Sequence, residues 1–127
     1  MRVYSYIVTH DTGFAPNPYW DYCTLACCKP LIRRTAQQGD WIIGLSPKAK
    51  GNKLIYAMQV TEKPLTFKQY FKDKRFKKKI PKLNSKAWSA KCGDNIYKPL
   101  PDGEYQQLPS LHSQKNGKEN PENKKHD

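Results

Sequence analysis

The chain has 127 residues, 23 of them Lys or Arg and 11 Asp or Glu, for a formal net charge of +12. That length supports one domain at most, and a hydrophobic fraction of 37% fills one small core while leaving no apolar run near the ~20 residues that a membrane-spanning helix needs. The apolar start, Val3 to Thr9, is broken by His10 and Asp11, so no secretory segment is read and a cytoplasmic monomer is expected.

Residues 2–9 are β-branched and aromatic and stop at the turn-forming cluster His10 to Gly13, which predicts a strand. Residues 10–30 hold Pro16, Pro18 and Pro30 with aromatics and Cys23, Cys27 and Cys28, without helical or alternating period. They read as an ordered, irregular loop, a kind of segment that often carries function. Pro30 suits the first turn of a short helix through Leu31, Ile32, Thr35 and Ala36, and Gly39 suits its left-handed end. Trp41 to Leu45 reads as a buried strand entered through a Gly39-Asp40 turn, and a Lys-rich loop, Pro47 to Asn52, leads to a second strand at Lys53 to Thr61. That strand alternates, with Leu54, Tyr56, Met58 and Val60 on one face, as a sheet with one packed side requires.

Thr66 and Gln69 form a capping-box pair that opens a helix from Phe67 to about Lys72. Phe67, Tyr70 and Phe71 give it an apolar stripe. One further apolar patch, Asn95-Ile96-Tyr97, precedes residues 112–127, where every side chain but Pro121 is polar, charged or glycine. The organisation read is a domain over residues 1–111 and a mobile polar tail over 112–127. The helices are too few and too short for a series of parallel crossovers, so the expected fold class is α+β, a small mixed sheet curled towards a barrel with short peripheral helices.

The positive charge is local. Residues 1–47 hold 4 basic and 3 acidic side chains, 48–91 hold 14 and 2, and 92–127 hold 5 and 6. A polyanion is the natural partner of that middle third, because clustered cations draw in phosphates and release their counterions. Phe67, Tyr70, Phe71, Phe76 and Trp88 interleave with the lysines and offer bases something to stack on. Lys74, Arg75, Lys77, Lys78 and Lys79 are therefore candidate phosphate-binding residues, although charge runs are more often simply solvated.

Catalytic and metal signatures are weak. The spacing C-x3-C-C at Cys23, Cys27 and Cys28, with Cys92 or His10 as a further ligand, lacks the C-x2-C pairs of structural zinc sites. Reduced structural thiols without a metal are expected, and no disulfide framework. Cys23 with His10 is a poor nucleophile pair, the carboxylates show no catalytic spacing, and no phosphate-binding loop or dinucleotide fingerprint occurs. Neither a cofactor nor a catalytic residue is read, and the residues describe a binder more than a catalyst.

Two long strings carry a resemblance: Asp11-Thr12-Gly13-Phe14-Ala15-Pro16-Asn17-Pro18, then Cys23-Thr24-Leu25-Ala26-Cys27-Cys28-Lys29-Pro30. With Ile32-Arg33-Arg34-Thr35-Ala36, Gly39-Asp40-Trp41, Leu54-Ile55-Tyr56-Ala57-Met58, Thr66-Phe67-Lys68-Gln69-Tyr70 and Gly93-Asp94-Asn95-Ile96-Tyr97, the sequence resembles the nucleotide modification associated domain 2 family over residues up to about Tyr97. That family is similar to the curled-barrel superfamily of pseudouridine-synthase-associated (PUA), ASCH, EVE and YTH domains, and is placed by association beside enzymes that modify bases in DNA.

The resemblance implies a PUA/EVE-like mixed barrel whose mouth accepts a flipped, modified base. The implied base pocket comprises Asp11, Phe14, Asn17, Trp41, Asp94 and Asn95, with Asn17, Asp94 and Asn95 reading a base edge and Phe14 or Trp41 stacking. Arg33 and Arg34 are implied to take phosphate. Structural roles compete: Asn17 and Asp94 adjoin Pro or Gly and suit turns, and Trp41 suits a core. The family pattern continues past Leu111-His112-Ser113 into a further apolar strand, where this sequence has Lys124-Lys125-His126-Asp127, so the barrel is expected to lack its last strand. The leading reading is a module that binds DNA, RNA or a free nucleotide in a DNA-modification system, with a base-modifying enzyme as a partner. An enzyme acting on a nucleotide or modified base is the alternative, and a partner-docking subunit is a third.

Overall fold

The computed structural model describes residues 1–114 and 116–127. Contacts divide the chain into two compact units, Met1–Asp11 with Leu31–Pro64, and Thr12–Pro30 with Leu65–Asp127. Sequence reading treats the first 111 residues as one block; the structure has the chain leave the first unit after Asp11 and return to it at Leu31.

The first unit is built on a three-stranded sheet of β1 (Val3–Ile7), β2 (Trp41–Leu45) and β3 (Leu54–Gln59), in that spatial order. The sheet is mixed: β1 runs parallel to β2, and β2 antiparallel to β3. The register pairs Tyr4 with Ile42 and Ile42 with Met58, then Tyr6 with Gly44 and Gly44 with Tyr56. With a side-chain period of two, these six residues share one face. On it the Tyr6 and Tyr56 hydroxyls lie 2.7 Å apart. Only glycine fits between them at position 44, since a Cβ there would sit 2.4 Å from the Tyr56 ring. The short helix α1 (Pro30–Thr35) begins at the proline that its composition marks out.

Asp40 anchors the turn into β2. Its carboxylate accepts from the backbone N–H of Arg2 and of Gln37, each at 2.8 Å. Those bonds, Gln37 first, hold its pKa below the ordinary 3.8. A depressed folded-state pKa contributes stability that is full above the unfolded value and is lost as pH falls through the folded one. Asp40→Asn should therefore be less stable than wild type near neutral pH, and the gap should narrow on acidification below the ordinary carboxylate value of 3.8. Chemical unfolding near neutral pH and below that value tests this, and a gap that does not change with pH would remove Asp40 as the titrating group.

The second unit holds α2 (Phe67–Lys72), a 3₁₀ helix (Lys74–Lys79), α3 (Trp88–Lys91), the antiparallel pair β4 (Tyr97–Pro99) and β5 (Tyr105–Gln107), and α4 (Pro121–His126). The capping box at α2 forms as expected: the Thr66 hydroxyl accepts from Gln69 N and the Gln69 side chain accepts from Thr66 N. Its stripe packs inward, with the Phe67 ring 4.5 Å from that of Tyr97 and 5.8 Å from that of Tyr105. Phe14, Cys27, Ile96 and Tyr97 form the core of this unit.

One expectation needs correction. No barrel closes among the described residues, because the strands form one sheet of three and one of two. Much of the chain between β3 and β4 is taken up by α2, the 3₁₀ helix and α3. Within the polar end segment, Pro121–His126 form the helix α4, whose N-cap Asn120 side chain accepts from Asn123 N. Asp127 accepts from the Tyr97 hydroxyl and from Cys28 N and pairs with His112 at 2.8 Å. A reading by apolar content overlooks such contacts, since they bury little apolar area. Among the described residues no helix is long and apolar enough to cross a membrane.

Candidate nucleic-acid interface

The 3₁₀ helix begins where the Asp73 carboxylate accepts from Arg75 N at 2.9 Å. Three residues per turn place positions i and i+3 in register. Phe76 and Lys79 thus share the buried face, Arg75 and Lys78 a second, and Lys74 and Lys77 a third, all four of these last being exposed. The run of cations that reads as uniformly outward is divided by this period. Lys79 is 0% exposed, which withdraws it from the phosphate-binding role expected of it.

What Lys79 does instead is hold a hairpin. Asn17 and Thr24 form an antiparallel bridge, N–H to O both ways at 2.8 and 2.9 Å. The Lys79 ammonium enters beneath it and finds four oxygens: Asn17 O at 3.0 Å, Asn17 Oδ1 at 2.7 Å, Tyr22 O at 2.7 Å and Thr24 Oγ1 at 3.0 Å. Thr24 passes the contact on, donating to Asp94 Oδ2 at 2.7 Å, while the Tyr70 hydroxyl donates to Asp94 Oδ1 at 2.7 Å. Burial pushes the Asp94 carboxyl up, opposed by Lys79, Tyr70 and Thr24, and pushes the Lys79 amine down, opposed by Asp94. Burial, then Asp94, pushes the Tyr70 hydroxyl up. Asn95 closes the network by donating to Tyr70 O and Phe76 O, and Asn17 Nδ2 donates to Cys92 O.

The structure thus brings Asn17, Asp94 and Asn95 together, but all three are buried and their hydrogen bonds run inward. They support the hairpin and present no open edge. Phe14 is in the core, its ring stacked 5.2 Å from that of His112. Asp11 and Trp41 belong to the first unit, where Trp41 lies on the sheet face opposite the Tyr6–Tyr56 pair, flanked by Val3 and Gln59. Arg33 and Arg34 lie in the last turn of α1, and Arg34 lines an open groove with Lys63, Gln37 and Gln38. Cys27 and Cys92 are buried, Cys23 is exposed, and among the described residues no three His, Cys, Asp or Glu stand close enough to share a metal.

Above the Lys79 anchor stands an aromatic cluster absent from the expected site. At the hairpin tip Trp20 and Asp21 both have left-handed backbone, with φ of 62° and 68°. Non-glycine residues in that region cost about 1–3 kcal/mol each and persist only where their surroundings hold them. The Lys78 ammonium lies over the Trp20 ring, 5.3 Å from its centroid, and the Arg75 guanidinium over both Tyr22, at 5.7 Å, and Phe76, at 4.7 Å. Asp73 grips that guanidinium at 2.8 Å and fixes its plane. The Tyr22 and Phe76 rings pack T-shaped, 5.3 Å apart at 70°, and Tyr22 remains 41% exposed. The sequence signal for this cluster was Tyr19-Trp20-Asp21-Tyr22 between Pro18 and Cys23, an aromatic run in a loop with no apolar period.

Comparison with curated proteins and with solved structures gave no match. The model of the family described as nucleotide modification associated domain 2 matches residues 1–127, the whole chain, and the chain belongs to that family.

Proposed function

We propose that this chain is a nucleic-acid-binding module of a nucleotide modification system, working beside a base-modifying enzyme and directing it to a modified base. The family description ties the chain to nucleotide modification. The observation that carries the binding reading is the division of labour along the 3₁₀ helix, where Lys79 is spent on anchoring while Lys74, Arg75, Lys77 and Lys78 stay at the surface, Arg75 and Lys78 of them beside aromatic rings. Cations beside rings suit a phosphate backbone with its bases. Surface lysines alone would also bind polyanions weakly, so the test compares two lysine groups of equal size. Lys74, Lys77 and Lys78 changed together to Ala should weaken oligonucleotide binding by about tenfold or more. The same change at Lys48, Lys50 and Lys53, exposed in the first unit, should cost about threefold or less through long-range charge. Equal losses from the two triples would mean that net charge alone is responsible and that the 3₁₀ helix is no site.

A further inference from the structure

We infer that the Trp20–Tyr22 turn is a stacking platform for an unpaired base, so that the ligand of this module is single-stranded or locally unpaired nucleic acid; this rests on the nucleic-acid reading above. Three independent features converge on the turn. Its backbone is held in a disfavoured conformation at Trp20 and Asp21. A buried lysine spends its ammonium on Asn17, Tyr22 and Thr24, the residues that close and flank that tip. The indole N–H of Trp20 is buried and has no acceptor among the described residues, so hydrogen bonding does not explain the placement of this ring.

What the arrangement does achieve is to present rings and cations together. Tyr22 is fixed at its carbonyl by Lys79 and its ring packs 5.3 Å from that of Phe76, with Arg75 over it, yet it keeps 41% of its surface exposed. An aromatic ring held in this way loses little freedom when a base stacks on it. Arg75 and Lys78, on the adjoining face of the 3₁₀ helix, are placed for the phosphates on either side of that base. In a duplex the π-faces are covered by neighbouring base pairs, so a ring at the protein surface engages a base only where the strand is open or the base is flipped.

The test uses the full chain, a fluorescently labelled oligothymidylate single strand and a duplex of equal length. Two variants divide ring from bulk: Tyr22→Phe keeps the ring, and Tyr22→Leu keeps apolar volume without it. The single strand should bind at least about tenfold more tightly than the duplex at equal salt, Tyr22→Phe should bind like wild type, and Tyr22→Leu should lose about tenfold on the single strand with an unchanged salt slope. If Tyr22→Leu binds the single strand as wild type does while the Lys74, Lys77 and Lys78 variant is impaired, the platform is wrong and the basic interface stands. If neither nucleic acid binds at low salt, the functional reading fails and the platform falls with it.

Discussion

Lys79→Met is expected to destabilise the protein by about 3–5 kcal/mol, because it removes a buried ammonium bonded to four oxygens and leaves buried Asp94 without its neighbouring cation. Methionine replaces the stem of the lysine but none of its donors, so Asn17 O and Tyr22 O lose a buried partner and Asp94 loses the cation that Thr24 links to it. For a chain of this size such a loss lowers the thermal midpoint by more than about 10 °C. Lys78→Met, one residue away on the exposed side, should stay within about 0.5 kcal/mol of wild type. Adding Asp94→Asn to Lys79→Met should recover part of the loss, because the two groups belong to one network and their effects are not additive. Thermal unfolding of the four proteins decides the matter: were Lys79→Met as stable as Lys78→Met, the buried ammonium would have no structural role.

The second large effect is expected at Gly93, which lies against the same segment. A Cβ there would fall 2.2 Å from Lys79 O and 2.7 Å from Pro81 N, both backbone atoms that cannot swing aside. Gly93→Ala must push the end of the 3₁₀ helix away from Asp94, and a loss of about 3 kcal/mol or more is expected, at the upper end of overpacking effects. Gly103 is the control. It has open space around its Cβ position but a φ of +86°, so alanine there costs only the strain of a left-handed residue, about 1 kcal/mol. Urea midpoints of the two variants give the comparison, and equal losses would show that the approach at Gly93 relaxes without difficulty.

Periodic signals in the sequence were reliable where the element was regular. The capping box at Thr66 is legible because it depends on residues within one turn of each other, whereas the alternation read for β3 holds for Tyr56 and Met58 but not for Leu54, which a register shift pairs with Leu45 and leaves 64% exposed. The lysine run misleads because charge in a sequence reads as exposure. A three-residue period, invisible to a search for periods of two and 3.6, turns Lys79 inward, and the oxygens that make this tolerable come from a hairpin more than fifty residues earlier. Asn17, Asp94 and Asn95 do stand together, as the sequence suggests, but face inward. Nothing local distinguishes an asparagine that reads a ligand from one that satisfies a buried lysine. The barrel is an expectation both of the element pattern and of the resemblance, and neither is local evidence for closure: strand pairing depends on contacts between distant segments, and among the described residues the chain between β3 and β4 carries three short helices and no strand.

On the proposed function, the outward cations of the 3₁₀ helix contact nucleic-acid phosphates directly. This is tested most directly by the salt dependence of single-strand affinity in wild type and in the variant with Lys74, Lys77 and Lys78 changed to Ala. Each phosphate neutralised contributes about −0.7 to the slope of log K against log salt for single strands, so losing three contacts should make the slope shallower by about 2. Parallel lines, offset or not, would contradict the account, because they would mean that these lysines release no counterions and that the contact surface lies elsewhere.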